Sequence, residues 1–208
     1  MKYLFDFDGT LVDSMPTWAG AHINALKRGG IPCPADFVKT ITPLGNLNAS
    51  KHTISLGLDI SLEDYLERLN LDLSDAYLNR IVAKDNVLET LKELKRRGHS
   101  VNVLTASPHK YVDPCLKRNG LYDLFDEVWS IEDFGLTKSE VAIYEQAAER
   151  LGVSTAECVM VDDNITAIET SKAAGMHTVA VYDLSAAELA DQMKEIADIY
   201  ITDFKQML

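Results

Sequence analysis

The chain has 208 residues, 47% of them hydrophobic and 25% charged, which is enough apolar material for one large domain or for a domain carrying a smaller insertion. Its 32 acidic residues outnumber 20 basic ones, and a net charge of −12 repels nucleic acid and anionic membranes. Cys33, Cys115 and Cys158 lie far apart without metal-ligand spacing, and no apolar run reaches membrane-spanning length, so a cytoplasmic protein is expected.

In chain order, residues 2–7 are strand-formers broken by an aspartate and ending at the turn dipeptide Asp8-Gly9. Residues 15–84 carry no strand pattern. They predict successive helices over 17–28, 35–41, 47–56 and 62–83. From residue 85 the rhythm changes to helices over 87–97, 110–119, 139–151, 166–174 and 185–196, alternating with strands over 100–105, 127–130, 158–161, 177–181 and 199–201. Glycines at 98, 120, 152 and 175 close several of these helices.

Alternation of this kind predicts an α/β fold, a doubly wound parallel sheet whose ligands bind at the carboxyl ends of the strands. The expected organisation is a core of residues 1–14 and 85–208 with a helical insertion, residues 15–84. An insertion placed directly after the first strand would hang over that strand's carboxyl end, as a lid does.

The polar residues at the predicted strand ends are the candidates for chemistry. Asp6 and Asp8, two apart, face the same side of a strand and repel unless a cation, a shared proton or a phosphoryl group lies between them. Asp162 and Asp163 follow the apolar strand 158–161 and fall on the same rim; Asp163 also fits the N-cap of the next helix. Such an acid cluster suits a hard cation such as Mg²⁺ better than zinc. Thr105, at the end of strand 100–105, with Ala106 and the backbone N–H groups that follow, fits either a phosphate cradle or an ordinary helix cap. Lys138 precedes a helix, where a cation opposes the dipole; it is a solvated surface lysine or it faces an anion.

This order of groups resembles the haloacid dehalogenase superfamily. Phe5-Asp6-Phe7-Asp8-Gly9-Thr10-Leu11-Val12-Asp13-Ser14 looks like its first motif, Thr105 fits the second, Lys138 the third and Asp163 the fourth. The resemblance covers nearly the whole chain and implies a Rossmann-like core with an inserted helical cap. It also implies a Mg²⁺-dependent phosphatase acting on a small phosphorylated metabolite. Asp6 would be the nucleophile that carries an aspartyl-phosphate, and Asp8 the acid and base. The metal would be held by Asp6, Asp163 and the Asp8 backbone carbonyl, with Asp162 behind these ligands or among them. Thr105, Ala106 and Lys138 would bind the phosphoryl oxygens.

Asp8 favours phosphoryl transfer over dehalogenation, because the carbon–halogen branch lacks it. Three positions depart from the common pattern: Asp162 stands where many relatives have glycine, Ala167 where they have a further aspartate, and Ser139 where proline is common. Within the insertion, residues 42–48, including Gly45, resemble a substrate-specificity loop, and Lys51 and His52 are candidates to meet a substrate anion. A sugar phosphomutase with the same cap would use the same catalytic residues. A phosphorylation-switched receiver module also combines clustered aspartates with Thr and Lys, but it is shorter and places an acidic pair first.

Overall fold

The computed structural model describes residues 1–208, the side chain of Pro43 excepted. The chain divides into two compact units, one formed by Met1–Asp13 with Val82–Leu208 and the other by Ser14–Ile81.

The first unit is built on a six-stranded sheet: β1 (Lys2–Phe5), β2 (Ser100–Thr105), β3 (Glu127–Ser130), β4 (Cys158–Asp162), β5 (His177–Val181) and β6 (Ile199–Ile201). Every pairing is parallel and the spatial order is β3-β2-β1-β4-β5-β6. The chain winds outward from β1 through β2 to β3, then returns to the other side of β1 and winds out through β4 to β6. The order therefore reverses between β1 and β4, and the diverging connections leave a crevice at the carboxyl ends of those two strands.

All five residues of β4 and the last two of β1 are buried, as expected for central strands covered on both faces. Helices α5 (Val87–Arg96), α6 (His109–Arg118), α7 (Val141–Arg150), α8 (Ile165–Ala173) and α9 (Ala190–Ile196) complete this unit. One core cluster joins Leu4, Leu104 and Met160 of the sheet to Ile143, Tyr144 and Ala147 of α7.

The second unit is helical: α1 (Met15–Arg28), α2 (Phe37–Ile41), α3 (Gly45–Ser55) and α4 (Leu62–Asn79). Leu26, Phe37, Ile41 and Ala49 form its buried cluster, with Ile23, Ile31, Leu56 and Leu58 packed around them. Ser61 caps α4 by accepting the Asp64 N–H.

The helix expected over 62–83 stops at Asn79 because the following backbone finds other partners. Val82 accepts the Asp13 N–H, the Lys84 N–H donates to the Leu11 carbonyl, and Val12 and Ala83 form an antiparallel bridge. A short pairing with residues 11–13 thus replaces the last turn of helix. The first strand likewise ends at Phe5 rather than Phe7. The Asp6 N–H still bonds to the Val161 carbonyl, but from Phe7 the chain turns tightly, and the N–H groups of Leu11 and Val12 both donate to the Phe7 carbonyl.

Candidate active site

Asp6 leaves β1 at the point where β4 ends in Asp162 and continues into Asp163. The Asp6, Asp162 and Asp163 carboxylates each offer an oxygen to one centre, the three atoms lying within 4.8 Å of one another, and all three residues are buried. Among the described residues one ammonium hydrogen-bonds to this cluster, while the charge of Lys84, itself paired with Asp183, also acts on Asp163. Lys138 Nζ donates to Asp6 Oδ1 and, at 2.8 Å, to Asp162 Oδ2. Asp162 Oδ1 accepts the Asn164 N–H at 2.8 Å, so both Asp162 oxygens are engaged within the protein.

Asp163 is held differently. Its Oδ1 accepts the Thr10 hydroxyl at 3.0 Å, and its carboxylate packs so closely on Gly9 that a Cβ there would overlap it. Gly9 also has φ +72°, so the turn needs glycine for both conformation and space. The cap of α8 is Asn164, whose side chain accepts the Thr166 and Ala167 N–H groups. Asp163 is therefore released from the capping role that its position also allowed.

Three buried carboxylates against one lysine leave an excess of negative charge. Burial, then the Asp162 and Asp6 charges, push the Asp163 carboxyl well above the usual range. Burial also raises Asp162, to about 6, with Lys138 opposing it. Burial disfavours the Lys138 ammonium, but the Asp162 and Asp6 carboxylates outweigh it and hold Lys138 charged far beyond neutral pH. An excess of hard carboxylate oxygen in a buried pocket is the donor chemistry of a divalent cation such as Mg²⁺, so the residues fit that ion.

Asp8 and Thr105 meet through Ser107, whose hydroxyl donates to Asp8 Oδ2 while its N–H donates to Thr105 Oγ1 at 3.0 Å. Thr105 is not a helix cap: α6 starts later, with Pro108 at its N-cap position. Ala106 lies in the turn between them. Gly45, Lys51 and His52 belong to the helical unit, all three on α3; Gly45 and Lys51 are exposed, and His52 is partly buried with its ring stacked 6.3 Å from that of Phe37.

Residues 3–181 match the model of the haloacid dehalogenase-like hydrolase family. The chain belongs to that family. Among curated relatives it is 30% identical over 189 residues to a phosphoglycolate phosphatase of Psychrobacter arcticus, covering 86% of this chain and 81% of that one. It is 26% identical over 192 residues to hexitol phosphatase B of Escherichia coli, covering 86% and 82%. Its fold matches that of a Thermotoga maritima protein assigned as a beta-phosphoglucomutase, with a TM-score of 0.83, 21% identity, and coverage of 100% and 97%.

The sequence of this haloacid dehalogenase-like hydrolase gives Ser107 no role of its own beyond the turn after Thr105, and does not single out Tyr144. The Tyr144 hydroxyl donates to the Lys138 carbonyl at 2.9 Å and approaches the Ala167 carbonyl at 3.3 Å, tying the Lys138 loop to the start of α8. An aromatic residue at helical spacing reads as core, and nothing in the pattern separates Tyr from Phe there. Thr10 was visible only as a letter of the first motif; its bond to Asp163 spans 153 residues of sequence.

Proposed function

We propose that this chain is a Mg²⁺-dependent phosphatase of small phosphorylated metabolites that works through an aspartyl-phosphate on Asp6. The carrying observation is the buried cluster of Asp6, Asp162 and Asp163 with Lys138 paired to Asp6 and Asp162, and with Asp8 two residues from Asp6 and hydrogen-bonded to Ser107. Bound Mg²⁺ would offset the charge of the carboxylates and of the phosphoryl oxygens. Asp6, Asp163 and the Asp8 backbone carbonyl would hold it. Both Asp162 oxygens are already engaged, which supports a role behind these ligands, fixing Lys138.

An Asp6 carboxylate oxygen attacks phosphorus as the ester P–O bond breaks, and Asp8 gives its proton to the leaving oxygen. Asp8, now a carboxylate, takes a proton from water as that water attacks the phosphorus. The P–O bond to Asp6 breaks, releasing inorganic phosphate and restoring both residues. Lys138, the Thr105 hydroxyl and the Ala106 N–H bind the phosphoryl oxygens, and the lysine charge meets the charge that develops on them.

Residues 15–84 are the cap in this reading, with Gly45, Lys51 and His52 as its candidates for recognising the variable part of the substrate. Relatives named for phosphoglycolate and for hexitol phosphates support a small phosphate ester without choosing between them. Three free cysteines, two of them buried, fit a reducing cytoplasmic setting.

The test is phosphate release from an aryl phosphate, phosphoglycolate and hexitol phosphates, with Mg²⁺ or with EDTA. Asp6→Asn is expected to lower kcat by about 10³-fold or more. Activity that survives Asp6→Asn or EDTA would refute the mechanism. Isomerisation of a sugar phosphate without phosphate release would make the protein a mutase.

A further inference from the structure

His109 is the first residue of α6 and follows the turn that carries Thr105, Ala106 and Ser107. Both of its ring nitrogens face carboxylates: Nδ1 lies 3.0 Å from Asp113 Oδ1, one turn along α6, and Nε2 lies 2.9 Å from Asp133 Oδ2, in the 3₁₀ turn Ile131–Asp133 after β3. A neutral imidazole has one N–H and one bare nitrogen, so only the imidazolium can donate to both acids. The two carboxylates, Asp113 ahead of Asp133, outweigh partial burial and hold the ring above its ordinary value. The other charge packed against this group is Arg150 of α7, whose guanidinium donates to the Asp133 carbonyl at 2.9 Å.

Asp133 is itself fixed, because its Oδ2 also accepts the Ser130 N–H at 2.8 Å. Ser130 is the register partner of Thr105 at the end of the β2–β3 ladder. The link therefore runs from the rim of β3 through Asp133 to His109, and so to the turn that leaves β2. Support of α6 does not account for it. A cation on the first residue opposes the helix dipole, and an acid four residues after it is the less favourable orientation of such a pair.

We propose that His109 is a positioning residue: as an imidazolium between Asp113 and Asp133 it straps the Thr105–Ala106–Ser107 turn to the rim of β3, so that tetrahedral dianions bind the turn tightly only while this ring is protonated. The inference deepens the phosphatase reading and rests on its assignment of the phosphoryl site. A strapped turn holds its hydroxyl and N–H donors ready for the anion, whereas a neutral His109 releases one of its two tethers and removes a positive charge beside the site.

The probe is inorganic sulfate, which stays dianionic across the range, titrated by NMR into the full chain with Mg²⁺ between pH 6 and pH 9. In the wild type, affinity is expected to fall about three- to tenfold over that range, the scale of one partly exposed charge near a bound anion. In His109→Gln, which keeps hydrogen bonding but not charge, sulfate should bind more weakly at pH 6 and show no such fall. Asp113→Asn, a milder change, should move the midpoint to lower pH.

The proposal is overturned if the wild type shows no fall, if His109→Gln retains it, or if Asp113→Asn leaves the midpoint in place; the last decides the matter should His109→Gln not fold. Because sulfate binding needs no turnover, the two readings fail separately. An active enzyme with pH-independent sulfate binding sinks the strap alone. A protein inactive on every ester that still shows the His109-dependent fall sinks the phosphatase alone.

Discussion

Each of the two compact units buries a polar cluster, and they resolve the loss of water in opposite ways. In the helical unit, His22 is 2% exposed and Nδ1 of its ring lies 2.7 Å from the Tyr65 hydroxyl and 3.2 Å from Thr53 Oγ1, with no charged partner at those contacts. A neutral ring beside hydroxyls needs no counter-ion, and burial pushes its pKa down to about 4. In the sheet unit, three buried carboxylates share one lysine, and the acid farthest from neutralisation, Asp163, is pushed up. The first arrangement calls for no counter-charge. The second is complete only with further positive charge, and a cluster left unbalanced by the fold marks a site rather than a stabilising feature.

Removing the one cation breaks that contrast most sharply. Lys138→Met preserves the length of the side chain but leaves Asp6 and Asp162 without their ammonium. If Lys138 also binds the phosphoryl oxygens, as proposed, kcat should fall by about 10²- to 10³-fold. Without metal the variant should also unfold more readily than the wild type, by about 3 kcal/mol, since an uncompensated buried charge remains. Steady-state kinetics and denaturant unfolding check the two parts. Unchanged kcat would remove Lys138 from the chemistry.

The second prediction uses the helical unit as the reference case. His22 has a folded pKa of about 4 against an ordinary 6.5, so between those values the unfolded chain binds a proton that the folded one refuses. Stability linked to His22 is therefore fully present above pH 6.5. It declines as pH falls toward 4 and levels below that, with a total loss on the order of 3 kcal/mol. His22→Asn should flatten this part of the pH–stability curve measured by urea unfolding. If the slope between pH 6.5 and 4 is the same in both proteins, the ring is not the neutral, buried group described here.

How far these two clusters could be read from the sequence differs for a physical reason. The parallel sheet and the acid pairs were legible because short apolar strands running into Asp6, Thr105 and Asp162 announce both the strand and its rim. Lys138 was legible as a cation in the wrong place for a helix start. The helical unit gave only its periodicity. His22, Thr53 and Tyr65 come together across 43 residues, and each alone reads as an ordinary helix residue. The same holds for the end of α4. A run favourable to helix through residue 83 gave way to pairing with residues 11–13, a tertiary choice that local propensity does not contain. Nothing in the sequence separates Cys33, which is exposed, from Cys115 and Cys158, which are buried.

The smallest effect separates stability from function within the acid cluster itself. Asp163→Asn keeps an oxygen to accept the Thr10 hydroxyl and nearly the same shape against Gly9, but removes one buried negative charge. Because burial and the Asp162 and Asp6 charges raise the Asp163 carboxyl in the fold, its carboxylate form is disfavoured there, and a neutral amide avoids that cost. Without Mg²⁺ the variant should be more stable than the wild type, by about 1–2 kcal/mol in urea unfolding, while any gain in stability from added Mg²⁺ should be smaller than in the wild type and activity should drop. A variant less stable than the wild type in EDTA would mean that Asp163 is held by its hydrogen bonds well enough to be content as a carboxylate. In that case the unbalanced charge would have to be sought in Asp6 and Asp162 alone.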